Sequence, residues 1–175
     1  MVVIIHLSTK AIFFDRDGTI NEEVGYLYKF ENFKWVNGAI EAIKFCNDNG
    51  YLAIVVTNQS GVARGFYTED DIKKLHRQIN DELKNFNAHI DDFFYCPHHP
   101  DGIVAKYSID CECRKPKSKL IEDACAKYNI DKTQSLMIGD KPRDVECGEN
   151  ANVRSILFDG ENLLSAIKSA LNFPL

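Results

Sequence analysis

Hydrophobic and polar positions along this chain alternate between two rhythms. Short, continuous apolar runs are each followed by a polar cluster and then by a stretch with helical periodicity. The first run, Ala11 to Phe14, has the uniform apolarity of a strand buried on both faces. Between Gly38 and Asn49, the residues Ile40, Ile43 and Cys46 recur at helical spacing, and Gly50 supplies a stop. Leu52 to Asn58 is a second buried strand that ends in polar residues. Thr68 to Asp71 forms a capping box, and behind it Ile72, Leu75, Ile79, Leu83 and Phe86 make an amphipathic stripe. His76 is expected at the surface or boundary of that helix. Asp92 to Tyr95 reads as a third strand, and Leu120, Ile121, Ala124, Cys125 and Tyr128 as another helical face. Ser135 to Asp140 is a fourth strand, Asp144 to Glu149 a short helix, and Val153 to Phe158 a fifth strand. Leu163, Leu164, Ile167 and Leu171 mark a terminal helix.

Strands alternating with helices imply an α/β fold with a doubly wound parallel sheet. With no internal repeat, low-complexity tract or linker, the 175 residues are expected to form one domain, 1–175, with no cap-sized insertion. A hydrophobic content of 45% and a charged content of 27% are those of an ordinary soluble protein. The net charge of −5, without a basic run, argues against nucleic acid or an anionic membrane as partner. No apolar stretch approaches a membrane span, and residues 1–10 make a poor secretory leader. A cytoplasmic protein is expected, and a monomer, because the core uses the helical faces.

The chemistry concentrates where strands end. Strand one runs into Asp15-Arg-Asp-Gly-Thr19, strand two into Thr57-Asn58, and strand four into Gly139-Asp140-Lys141. In a parallel sheet these ends share one edge, where ligands bind in open α/β folds. Aspartates at the mouth of a buried strand are costly unless a cation or donors compensate them. Gly18 permits a sharp turn that returns Asp17 over the strand end. Asp15 and Asp17 alone also fit a surface turn, or the D-x-D motif by which nucleotide-sugar glycosyltransferases hold a metal. The carboxylates, hydroxyl and lysine of all three strand ends together favour a magnesium-and-phosphate site.

The set Asp15-Arg-Asp-Gly-Thr19, Thr57-Asn58, Lys115 and Gly139-Asp140-Lys-x-x-Asp144 resembles the haloacid dehalogenase superfamily of phosphatases across the whole chain. The resemblance implies that Asp15 is the nucleophile and forms an aspartyl-phosphate. It implies that Asp17 is the acid and base, and that Thr57 and Lys115 stabilise the transferring phosphoryl group. It gives magnesium to Asp15, Asp140 and the backbone carbonyl of Asp17, with Asp144 supporting metal-bound water.

Six cysteines divide into two groups. Cys46, Cys125 and Cys147 lie singly in helical segments and are expected in the core. Cys96-Pro-His98 and Cys111-Glu-Cys113 pair four ligands suited to a closed, tetrahedral zinc site in a loop over about 96–117, with His99 competing with His98. Such a zinc is structural, and it would aim the following Arg114 and Lys115 at the substrate. Within the superfamily, a zinc loop in place of a cap resembles the branch acting on heptose bisphosphates or on histidinol phosphate. The twelve residues between His98 and Cys111, and the run Thr57 to Gly65, resemble the heptose branch. That implies a small-molecule sugar bisphosphate as substrate, lined by Glu23, Val24, Gly25, Tyr26, Asn58, Gln59, Ser60, Arg114 and Lys141. Val24 stands where the family usually has histidine, which bears on recognition of the sugar. An inactive phosphatase fold serving as a zinc-dependent interaction module is the other reading. The intact Asp15, Asp17, Lys115 and Asp140 speak against it.

Overall fold

A computed structural model describes residues 8–174, so the expectation for the N-terminal lead falls mostly outside the described residues. The five strands are β1 (Lys10–Phe14), β2 (Tyr51–Asn58), β3 (Asp92–Cys96), β4 (Leu136–Gly139) and β5 (Arg154–Leu157). They form one sheet in the order β3-β2-β1-β4-β5, and every pairing is parallel. The helices are α1 (Ala39–Asp48), α2 (Glu69–Leu83), α3 (Lys119–Tyr128), α4 (Pro142–Asn150) and α5 (Leu163–Ala170). The doubly wound parallel α/β sheet expected from the sequence is what the chain forms. Among the described residues no helix is long and apolar enough to cross a membrane.

Strand alternation builds the two cores. Ile12, Phe14, Ala53, Val55, Leu136 and Ile138 pack with α1, α2 and α5 on one face. Ala11, Phe13, Ile54, Val56 and Met137 pack with α3 and α4 on the other. Central strands covered on both faces need no polar residues, which is why the runs in β1, β2 and β4 are continuously apolar. Cys46, Cys125 and Cys147 all join these cores. The strand order also fixes the site. The chain leaves β1 toward β2 and β3, then crosses back to β4 on the other side. The carboxyl ends of β1 and β4 therefore flank a topological switch point.

Two expectations along α2 need correction. The Thr68–Asp71 capping box is present, but the apolar stripe ends at Leu83. A 3₁₀ turn over Lys84–Phe86 follows and leaves Phe86 43% exposed. His76 is not a surface or boundary residue. It is 5% exposed, and its ring stacks on Phe93 with centroids 4.2 Å apart. Position 76 lies one turn from Ile72 and close to Leu75 and Ile79, so it belongs to the buried stripe.

Burial, and next to it the Arg16 guanidinium, hold the His76 imidazole well below its ordinary pKa of 6.5. The unfolded chain takes up a proton near that pH that the folded chain refuses. This contribution to stability is therefore complete above pH 6.5 and is lost as the pH falls below it. Denaturant midpoints measured at pH 7 and pH 5 are expected to fall more for wild type than for His76→Gln. Equal falls would mean that His76 does not carry the linkage.

Candidate active site

Asp15 follows β1 directly and is 4% exposed. Its backbone N–H donates to Ile138 at 2.9 Å, which locks the turn to β4. The Lys115 ammonium, fully buried, donates to Asp15 Oδ1 at 2.7 Å and to the Val56 carbonyl at 2.8 Å. It also pairs with Asp144 Oδ1 at 2.7 Å. Burial pushes the Asp15 carboxyl up to about 6, against the pull of Lys115 and with added repulsion from Asp144 and Asp17. Burial also disfavours the Lys115 ammonium, but Asp15 and Asp144 outweigh it and hold its pKa above the usual lysine value.

The Asp15, Asp140 and Asp144 carboxylates converge within 4.8 Å of one another. The Asp140 Oδ1 atom is buried without a hydrogen-bond partner. A hard cation satisfies such an oxygen, and a carboxylate trio with one buried lysine carries surplus negative charge. The donors therefore fit magnesium. Gly18 sits at φ +86°, and a Cβ there would lie 2.4 Å from Asp140 Oδ2, so the turn over the acidic cluster requires glycine. Asp144 is already engaged, by Lys115 and by the Lys141 backbone N–H at 3.0 Å.

The Asp17 carboxylate turns the other way. It accepts from Arg16 Nη2 at 3.0 and 2.9 Å, from Asn21 Nδ2 at 3.0 Å and from Gln59 Nε2 at 2.9 Å. Gln59 Nε2 also donates to Thr57 Oγ1 at 3.0 Å, and the Tyr67 hydroxyl donates to Gln59 Oε1 at 2.8 Å. A cavity of about 260 Å³ opens here, lined by Asp17, Glu23, Gly25, Tyr26, Asn58, Gln59, Ser60, Tyr67 and Arg143. A larger groove of about 500 Å³ by Tyr28 and Lys74 gathers no comparable chemistry.

The expected substrate residues therefore separate. Glu23, Gly25, Tyr26 and Asn58 to Ser60 line the cavity. Val24 is half exposed beside it. Lys141 pairs with Asp140 at 2.7 Å, and Arg114 Nη1 donates to the His98 carbonyl at 3.3 Å. Tyr67 and Arg143 line the cavity without having been singled out from the sequence. Arg143 stands in the first turn of α4 and Tyr67 just before the α2 cap, and no local pattern marks either as facing the cavity.

The loop after β3 brings Cys96, His98, Cys111 and Cys113 together. Neighbouring ligand atoms lie 3.8 Å (Cys96–His98), 3.5 Å (Cys96–Cys111), 3.4 Å (Cys111–Cys113) and 3.3 Å (His98–Cys113) apart. A tetrahedron with zinc bond lengths has edges of roughly 3.5–3.8 Å, so the four fit that ion. The sulfurs are too far apart for disulfides, which need about 2.05 Å. His98 supplies the nitrogen. His99 instead has Nε2 3.3 Å from Arg64 and accepts from the Asp101 N–H.

Replacing Lys115 with Met leaves Asp15 and Asp144 buried beside each other without their counter-ion. The expected loss of stability is about 3–5 kcal/mol, read from denaturant unfolding in a chelator. A change below about 1 kcal/mol would show that the triad does not hold the site together.

Known proteins resemble this chain in sequence and fold. A family model described as HAD-hydrolase-like matches residues 112–164. The D-glycero-alpha-D-manno-heptose-1,7-bisphosphate 7-phosphatase of Photorhabdus laumondii is 45% identical over 148 residues, 85% of this chain and 81% of that protein. The D-glycero-beta-D-manno-heptose-1,7-bisphosphate 7-phosphatase of Haemophilus influenzae is 43% identical over 145 residues, 83% of this chain and 78% of that one. A crystal structure of D,D-heptose 1,7-bisphosphate phosphatase from B. bronchiseptica, complexed with magnesium and phosphate, superposes with a TM-score of 0.78. It is 26% identical and covers 95% of this chain and 89% of its own. With relatives this similar over most of its length, the chain belongs to the heptose-1,7-bisphosphate 7-phosphatase family of HAD-like hydrolases.

Proposed function

We propose that the protein hydrolyses the 7-phosphate of a D-glycero-D-manno-heptose 1,7-bisphosphate, giving heptose 1-phosphate and inorganic phosphate. The observation that carries this reading is the buried Asp15–Lys115 pair at the end of β1, with Asp17 two residues on at the wall of a small polar cavity, in a chain related to enzymes of that name. Asp15 is the nucleophile. Its carboxylate oxygen bonds to phosphorus as the bond from phosphorus to the sugar oxygen breaks, leaving the electron pair on that oxygen. Asp17, at the cavity wall, gives its proton to the departing sugar oxygen. It then takes a proton from the water that attacks the aspartyl-phosphate, and phosphate leaves with Asp15 regenerated. Thr57 and Lys115 hold the phosphoryl oxygens as charge develops on them.

Asp15, Asp140 and the Asp17 main-chain carbonyl would hold magnesium, which when bound neutralises phosphoryl charge that would otherwise repel Asp15. Glu23 to Tyr26, Asn58 to Ser60, Arg114 and Lys141 are assigned to the sugar and its remaining phosphate, and the cavity lining adds Tyr67 and Arg143. Cys96, His98, Cys111 and Cys113 would hold a structural zinc that orders the loop carrying Arg114 and Lys115.

Phosphate release from both anomers of the bisphosphate and from histidinol phosphate, compared side by side with magnesium, tests the reading. A bisphosphate preferred by at least about tenfold is expected, with Asp15→Asn losing about a thousandfold or more. Preference for histidinol phosphate would reassign the substrate, and an unaffected Asp15→Asn would sink the mechanism. Metal analysis is expected to find zinc at one ion per chain, lost in Cys113→Ser together with several degrees of melting temperature. A zinc-free protein of full stability would remove the structural ion.

A further inference from the structure

Arg16 separates the two motif aspartates, and the mechanism above gives it no task. Yet it is completely buried, which for a permanently charged side chain demands a complete set of acceptors. Nη2 reaches both Asp17 oxygens and also donates to the Leu27 carbonyl at 2.9 Å. Nε reaches Asp17 Oδ1 at 3.3 Å. The remaining arm, Nη1, lies 3.3 Å from Nε2 of His76 on α2. A guanidinium has no acceptor to offer, so Nε2 accepts and the imidazole is neutral with its proton on Nδ1. Stacking on Phe93 fixes the ring plane.

We propose that Arg16 and His76 are positioning residues for Asp17. The helix fixes His76, His76 fixes Arg16, and Arg16 sets the rotamer in which the Asp17 carboxyl faces the cavity. The inference rests on the reading of Asp17 as the acid. The identity of residue 76 follows from the charge balance. A neutral acceptor satisfies Nη1 without competing for the guanidinium, whereas a carboxylate at 76 would draw Arg16 away from Asp17. Asn21 and Gln59 grip the same carboxylate from other directions, so its placement is fixed on three sides. Proton transfer is sensitive to such placement, since a displacement of about 1 Å costs on the order of a hundredfold.

Leaving-group dependence separates positioning from mere stability. A sugar alkoxide leaves only with a proton, whereas p-nitrophenolate leaves without one. Because kcat/KM covers steps only up to formation of the phospho-enzyme, it isolates the acid's role. Arg16→Lys and His76→Leu are expected to lose roughly 10- to 100-fold in kcat/KM on the heptose bisphosphate. On p-nitrophenyl phosphate the loss should stay within about threefold. His76→Gln, which keeps an acceptor at 76, should recover most of the loss. Asp17→Asn supplies the reference. If it lowers both esters equally, the acid role of Asp17 fails and the positioning proposal falls with it. If it is selective while Arg16→Lys and His76→Leu lower both esters equally, or neither, the acid stands and the positioning proposal is overturned.

Discussion

The ammonium of Lys115 has no exposed surface and lies 2.7 Å from two carboxylates, those of Asp15 and Asp144. Taking such a cation out of water costs several kcal/mol, offset only when its partners are all in place. The three members come from distant parts of the chain: the end of β1, the first turn of α4 and the loop that carries the lysine. The lysine backbone is held as well. Asn58 at the end of β2 donates to the Lys115 carbonyl at 3.1 Å and accepts from its N–H at 3.0 Å. Gly139 makes room for the arrangement, since a Cβ there would lie 2.3 Å from the Asp144 Cβ. A single buried ion triad thus couples sheet, helix and loop.

That triad also separates two aspartates that are neighbours in sequence. Asp15 is buried against a cation, and burial raises its pKa to about 6. Asp17 keeps 18% of its side chain exposed and is bound by neutral and cationic donors at the cavity wall. The Lys115 ammonium opposes the rise at Asp15, so the two carboxyls stand in unlike surroundings. Strand alternation alone would set residues 15 and 17 on one side, but β1 ends at Phe14 and the turn at Gly18 lets the two diverge.

Strand ends were readable in the sequence because a continuous apolar run that stops at an aspartate is locally unusual. The ligand pairs Cys96/His98 and Cys111/Cys113 were readable because their spacing is short-range. Arg16 and His76 were not, because each is polar by type and their pairing joins positions sixty residues apart. The His76 position on the α2 stripe was visible in the periodicity, but histidine there reads as a break in the apolar pattern until an acceptor is needed. Tyr67 and Arg143 reach the cavity from elements set by the crossing from β2 to α2 and from β4 to α4. No local pattern contains that geometry. Phe86 continues the stripe on paper, but the chain has already left the α-helix, and Asn87 turns left-handed at φ 53°.

A connection of about twenty residues without regular structure is uncommon inside a compact fold, because ordering it costs conformational entropy. Two anchors offset that cost between β3 and α3. At the near end, Cys96 closes with His98, Cys111 and Cys113. In the middle, the Tyr107 hydroxyl donates to Glu69 at 2.6 Å, and the same carboxylate accepts from Tyr95 at 2.7 Å. Glu69 opens α2, so the loop is fastened to the helix that also carries His76. Lys115 follows the last cysteine by two residues and has little slack. The position of Cys113 therefore limits where the Lys115 ammonium can stand, and the buried carboxylates accept one position only.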